Sequence, residues 1–301
     1  DYDLKTVKPL LAKSWKVSED GKTYTFALRD DVKFCDGRGM DADDVVYSLK
    51  RWIDPELKSP VRGRAGKVKD ITATDKYTVS YELEEPFSEL PFQLTQFFSS
   101  IIDKHTVEKL GADFGVKGFN GTGPYCWDNW VPRQEFVMKR NPHYKWGPDF
   151  YQKRGPAHIE RVVWKIIPEN STRLASVMTN QVQLTQYIPQ IALDQAMKAP
   201  NLKVEKAQSY LWTYYIGFKV DREFMSDIRV RQAINYAVDQ VSLVKNVWFG
   251  HAVPAYTPVI PDTPDFNEKT LAATIKYDPE KAKKLLDEAG WKAGADGMRY
   301  K

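Results

Sequence analysis

The sequence predicts an α/β protein of two lobes, built from mixed sheets flanked by helices. Three observations carry this reading. At 301 residues the chain exceeds an ordinary domain of ~100–150 residues, so two cores are expected. Its first half contains alternating apolar segments joined by turn signals, which is strand and hairpin patterning. Its second half places helix-period segments between strand-like ones, which is the pattern of an α/β unit.

The chain is organised around Tyr210–Phe218, nine residues of largely aromatic and β-branched character that predict a strand. Period-2 geometry puts Tyr210, Trp212, Tyr214, Ile216 and Phe218 on one face, and Leu211, Thr213, Tyr215 and Gly217 on the other. A strand with large groups on both faces is either covered twice or lines a cleft on one side. The helix after it, from Asp227 to Asp239, carries Val230, Ala233, Ile234, Ala237 and Val238 on one stripe, with Asp227 as its cap.

The earlier elements follow in order. Asp20-Gly21 marks a hairpin turn before the alternating strand Lys22–Leu28. Val32–Gly37 predicts a short strand closing on a turn. Asp41 caps a helix running to Trp52, with acidic residues in the first turn and basic ones in the last. Val68–Leu83 predicts a hairpin ended by Pro86, and Leu90–Ser100 is apolar and partly helical. Ile159–Ile167 predicts a strand, Ser171–Met178 a helix, Val182–Thr185 a strand, Ala192–Lys198 a helix and Leu202–Ala207 a strand. Asp278, Pro279 and Gly290 bracket a last helix.

Composition narrows the function. The charge is 44 basic against 40 acidic residues, a net of +4, too mild for a nucleic-acid reader. No run reaches the ~18–20 apolar residues of a membrane span. Asp1 to Lys5 lacks the basic-then-apolar pattern of a secretory signal, so a targeting segment is expected to have been removed or to lie outside this sequence. Aromatic residues make up 13%. They serve either a large core or the walls of a cleft, and composition alone favours the core.

Chemistry is sparse. His105, His143, His158 and His251 show no metal-ligand spacing, and two cysteines alone make no structural zinc site. Gly121-Thr-Gly-Pro-Tyr125 lacks the Lys-Ser/Thr and the helix of a phosphate cradle. There is no nucleophile elbow. Paired catalytic carboxylates facing a cleft, as in a glycosidase, have no positive support. The reading is therefore no catalytic residues, no metal and no cofactor. Binding is favoured, because a buried polar ligand needs aromatic walls and a few placed polar groups.

Several motifs carry a family resemblance. They are Leu10-Leu-Ala-Lys-Ser-Trp15, the Asp20–Leu28 hairpin segment, Val32–Gly37, Ala42–Ser48, Gly121–Tyr125, Asn141–Tyr144 and the run from Tyr210 through Asp239 to Gly250–Ala255. In order and spacing they resemble the peptide/nickel class of ABC-transporter solute-binding proteins, family 5. The resemblance implies a type II periplasmic-binding-protein-like fold with ligand held between lobes by hinge closure, and no enzyme activity. It implies a first lobe at 1–209 with a β-rich subdomain, an inter-lobe crossing strand at 210–220, and the start of a second lobe at 221–301. It implicates Tyr210 and Tyr215 in ligand contact, then Trp212, and more weakly Gln186 and Tyr187; the aromatic strand itself adds Tyr214 and the Gly217 backbone as wall and polar group. The expected ligand is a small molecule, first a peptide, with oligosaccharides, opines and metal chelates as the family's other ligands. The expected partner is an ABC permease, with a monomer in the periplasm or lipid-anchored outside the cell. A glycan-active enzyme with an aromatic cleft is the alternative from another class, and a scaffold or receptor domain is a third.

Three departures from the resembled pattern stand out. Asn180-Gln-Val-Gln183 replaces the usual Gly-Glu-Val-Asp. The family carries more sequence on both sides, so a partial chain with an unclosed second lobe is expected. Cys35 and Cys126 stand where the family does not usually have cysteine. Export and their shared lobe in the resembled fold imply a Cys35–Cys126 disulfide.

Overall fold

The structure is a computed structural model that describes residues 6–205, 214–257, 259, 266–267, 269 and 274–301. The chain divides into two compact units, Asp1–Ile166 and Ile167–Lys301.

In the first unit, β1 (Ala12–Val17), β2 (Thr23–Leu28), β3 (Val68–Asp75) and β4 (Thr78–Leu83) form an antiparallel sheet in the order β1-β2-β4-β3. The turn at Asp20-Gly21 works because Gly21 adopts φ 69°, a conformation that a Cβ disfavours. Strand alternation buries Tyr24, Phe26 and Leu28 of β2 beside Val79, Tyr81 and Leu83 of β4. Helix α1 (Ala42–Ile53) presses Val45, Leu49 and Trp52 into the same core. Asp41 caps it by accepting from the N–H groups of Asp43 and Asp44 at 3.1 and 3.3 Å. The Asp44 carboxylate returns to the Asp41 N–H at 3.2 Å, so aspartate does the work of the usual glutamate in a capping box.

Val32–Gly37 does not form the expected strand. Phe34 N–H donates to the Arg38 carbonyl at 2.8 Å and Met40 N–H to Val32 at 3.0 Å. The segment thus satisfies its backbone within its own loop, with one isolated bridge between Lys33 and Gly39. Leu90–Ser100 yields a single α turn, α2 (Leu90–Gln93), followed by a 3-10 turn at Phe97–Ser99.

A second antiparallel sheet, β5 (Tyr125–Val131), β6 (Glu135–Arg140) and β7 (Arg161–Lys165), follows α3 (Lys104–Leu110). The segment entering β5 is structural. Trp146 Nε1 donates to the Thr122 carbonyl at 3.0 Å and Asn141 Nδ2 to Gly123 at 2.9 Å. Asn141 N–H donates to Pro124 at 2.9 Å and Cys35 N–H to Gly121 at 3.2 Å. Its carbonyls are the groups in use, and a phosphate cradle needs N–H groups. A disulfide joins Cys35 to Cys126, with Cα atoms 5.7 Å apart, within the distance such a bridge requires.

An ion cluster with two buried carboxylates lies next to this bridge. Arg38 donates to both Asp44 carboxylate oxygens, at 2.9 and 2.6 Å, and to Asp103. The Asp44 and Asp103 side chains are only 4% and 2% exposed. The Asp44 hydrogen bond is the chief cause that raises the Arg38 pKa. Burial pushes the Asp103 carboxyl up, but hydrogen bonds from Thr106 and Arg38 outweigh it and hold it below the usual range.

The second unit contains α4 (Asn170–Met178), α5 (Gln190–Lys198), α6 (Ile228–Ala237), α7 (Gln240–Asn246), α8 (Pro279–Glu288) and the short pair β8 (Lys292–Ala293) and β9 (Arg299–Tyr300). Helices α6 and α8 pack together. Arg229 Nη1 donates to the Glu288 carbonyl at 2.8 Å, and Asp278 N–H donates to Tyr236 at 2.8 Å. Lys281 Nζ lies 4.4 Å from the Tyr236 ring centroid, a cation–π distance.

Three expected strands of this unit differ. Residues 182–185 are not a strand. Gln181 and Val182 instead donate to the Ser176 carbonyl at 2.8 and 3.1 Å, closing the end of α4. Asn180, at φ 57°, takes the left-handed position that glycine usually fills after a helix. Residues 202–205 are not a strand, and residues 206–207 lie outside the described residues. Residues 214–218 are not a strand either. Aromatic and β-branched content makes a strand only where another edge supplies hydrogen bonds, and no described segment supplies one here.

Candidate functional site

The residues expected to bind ligand all fall in the second unit. Tyr210 and Trp212 lie outside the described residues. Tyr214, Tyr215 and Ile216 are 79%, 85% and 79% exposed. The Tyr214 ring leans on Trp248, with centroids 4.9 Å apart and planes tilted by 47°. Trp248 follows α7, and its carbonyl accepts from His251 N–H at 2.8 Å. His251 Nε2 reaches the Asp194 carboxylate of α5 at 3.5 Å. Trp248 and His251 were not expected from the sequence. The Gly-His-Ala-Val-Pro run beside them was the available signal, because Gly250 at φ 76° marks a turn that brings distant residues together.

Gly217 does not require its missing side chain. A Cβ there would meet only the Tyr215 ring, at an ordinary 3.8 Å. Its use to a ligand would lie in its exposed backbone.

Gln186 and Tyr187 sit on a turn between α4 and α5. Both are exposed, and Tyr187 holds φ 58°. Arg173 of α4 pins this turn. Its Nη2 donates to the Tyr187 carbonyl at 3.4 Å and its Nη1 to the Ile167 carbonyl at 2.9 Å. The turn runs into Pro189, which lines a groove of about 460 Å³ between α4 and α5. Leu174, Ala175, Met178, Ile191 and Ala192 supply apolar walls, and the volume falls in the small-ligand range. The amides at the start of α4 are not free to hold an anion. Glu169 caps them, accepting from Ser171 and Thr172 N–H at 2.8 and 2.5 Å. Hydrogen bonds from Ser171 and Thr172 hold its carboxyl down at about 2.

The departure at Asn180–Gln183 leaves no carboxylate there. Gln183 Nε2 reaches back to the Asn180 carbonyl at 3.4 Å. Among the described residues, no cluster of three His, Cys, Asp or Glu could hold a metal ion, and no helix is long and apolar enough to cross a membrane.

The comparisons with known proteins agree with one another. In class, the fold is that of the type II periplasmic binding proteins. NikZ from Campylobacter jejuni, solved in complex with Ni(L-His), superposes with a TM-score of 0.81 at 29% identity, covering 98% of this chain and 57% of its own. AppA, the oligopeptide-binding protein of Bacillus subtilis, solved with a nonapeptide, gives 0.82 at 27% identity, covering 99% and 58%. The profile of the bacterial extracellular solute-binding proteins, family 5 (middle), matches residues 6–300, and the chain belongs to that family. The glutathione-binding protein GsiB of Salmonella paratyphi A (strain ATCC 9150 / SARB42) is 32% identical over 294 residues. That match takes in 98% of this chain and 55% of GsiB, so the chain spans about half the length of the curated relatives it matches.

Proposed function

We propose that the full-length protein is the solute-binding component of an ABC import system, capturing a peptide and delivering it to a membrane permease. The observation that carries this reading is the exposed Tyr214–Ile216 surface backed by Trp248, in a chain of this family. Rigid aromatic faces and open backbone groups suit a peptide, whose main chain offers donors and acceptors and whose side chains offer apolar area. Tyr210, Trp212, Tyr214, Tyr215 and the Gly217 backbone form the ligand-facing surface, with Gln186 and Tyr187 at its margin. In this reading 1–209 is the first lobe, 210–220 crosses between lobes and 221–301 begins the second. Capture proceeds by hinge closure without covalent chemistry. The protein works as a monomer on the outer side of the cytoplasmic membrane, free in the periplasm or held by a lipid anchor.

Mass spectrometry of small molecules released on denaturing the purified full-length protein tests the ligand class. Short peptides are the expected result. Recovery of a sugar, an opine or a metal chelate in their place would overturn the peptide assignment.

A further inference from the structure

We infer that the Cys35–Cys126 disulfide is a redox latch on the buried Arg38 cluster: reduction frees the Cys35–Gly39 turn and loosens Arg38 from between Asp44 and Asp103, while the four-stranded sheet keeps its pairing. The inference concerns the first unit alone and does not depend on the ligand reading.

The argument is one of connectivity. The turn is tied to the β5 side of the unit at Cys35. Its sulfur is bonded to Cys126, and its N–H is shared between the Gly121 carbonyl at 3.2 Å and Asn120 Oδ1 at 3.0 Å. Asn120 in turn holds the second carboxylate. Its Nδ2 reaches Asp103 Oδ2 at 3.4 Å, and its carbonyl accepts from Asp103 N–H at 3.1 Å. Three residues beyond Cys35 the same turn presents Arg38, whose guanidinium lies 4.5 Å from the Phe34 ring centroid and bridges both aspartates. One short loop therefore carries both the covalent tie and the only described cation between two buried carboxylates. Two buried carboxylates are costly without that cation, so whatever holds the loop in place holds the cluster together.

The chemistry is ordinary thiol–disulfide exchange with a dithiol. A dithiol thiolate attacks the sulfur of Cys35, the partly exposed member of the pair. The Cys35–Cys126 bond breaks, and Cys126 leaves as a thiolate that takes up a proton. The second thiol of the reagent then displaces Cys35 and closes the reagent into a cyclic disulfide. Two electrons and two protons pass to the protein.

Amide hydrogen exchange of the full-length protein, with and without dithiothreitol, tests the latch. Protection at Phe34, Cys35, Gly37, Met40 and Asp103 should fall by at least about tenfold on reduction, while β3 and β4 amides hold theirs. A Cys35→Ser/Cys126→Ser variant should show the same local pattern without reagent. If that variant does not fold, the reduced wild-type protein gives the answer. Unchanged protection in the turn would overturn the inference, as would an equal loss across β3 and β4, which would make the bridge a plain staple of the whole unit.

Discussion

The two units bury different things. The first closes over Trp146, Tyr81, Phe34, Ile71 and Leu90, all almost fully buried. Among its described residues the second buries Leu174, Val230, Ala196, Ala233, Ala282 and Ala289, and leaves Leu184, Tyr187, Ile191, Tyr214, Tyr215 and Ile216 exposed. Burial stabilises by about 25 cal/mol per Å² of apolar surface, so most of the stabilisation from large described side chains falls in the first unit. In the proposed function the first unit is the scaffold and the second carries the recognition surface.

The largest loss on substitution is expected at the centre of the first unit. Trp146→Ala removes a buried ring and leaves the Thr122 carbonyl without its 3.0 Å donor. A loss of about 3–5 kcal/mol is expected, read as a lower urea midpoint. A loss below about 1 kcal/mol would mean that the first unit is not built as described.

The next effect lies at the ion cluster. Arg38→Met leaves Asp44 and Asp103 buried together without their cation, at an expected cost of about 3 kcal/mol. The deficit should narrow as the pH falls toward about 4, because a protonated carboxyl no longer repels its neighbour. Urea midpoints at neutral and acid pH check this, and a deficit independent of pH would point to lost packing against Phe34 as the cause.

The recognition surface should respond in the opposite sense. Tyr215→Ala in the full-length protein should change stability by no more than about 0.5 kcal/mol, because the side chain touches little. Peptide affinity should weaken by about 1–3 kcal/mol. Calorimetry and urea unfolding on one preparation separate the two. Unchanged affinity would remove this residue from the site.

The same contrast explains what could be read from the sequence. The first unit was legible where local rules agree with tertiary ones. Asp41 before an apolar-periodic run, Asp20-Gly21 between alternating segments and the 68–83 hairpin all take the expected form. Helices α6 and α8 were legible for the same reason, with Asp227 and Asp278 accepting N–H groups of their own first turns. The expected strands at 182–185 and, in its described part, 202–207 were not, because β-propensity measures fit to a pleated partner and these segments have none among the described residues. At 32–37 the alternation was real, but Gly37 at φ 89° turns the chain back on itself before a ladder can form. Of the proposed site, Tyr214 and Tyr215 stand out in the sequence as aromatic positions. The contact of Tyr214 with Trp248, and of His251 with Asp194, does not show there, because each joins segments distant in sequence.

The smallest expected effect concerns acid and the helix caps of the second unit. Hydrogen bonds to Ser171 and Thr172 hold the Glu169 carboxyl at about 2. The Arg229 side chain and backbone N–H hold Asp227 at about 2. Unfolded, the two groups would titrate near ~4.3 and ~3.9. A carboxyl depressed in the folded state stabilises the fold above its unfolded pKa, and that contribution is lost as pH falls through the folded value. The caps of α4 and α6 should therefore be fully effective at pH 5 and above, and weaken progressively from about 4 toward about 2. Glu169→Gln and Asp227→Asn should each flatten the stability profile in that window, and leave the Trp146 environment of the first unit unmoved at neutral pH. Carboxyl carbon NMR gives the direct test. Resonances of Glu169 and Asp227 still ionised near pH 3 are the expected result, and titration of both near 4 would mean that the caps are not made in solution.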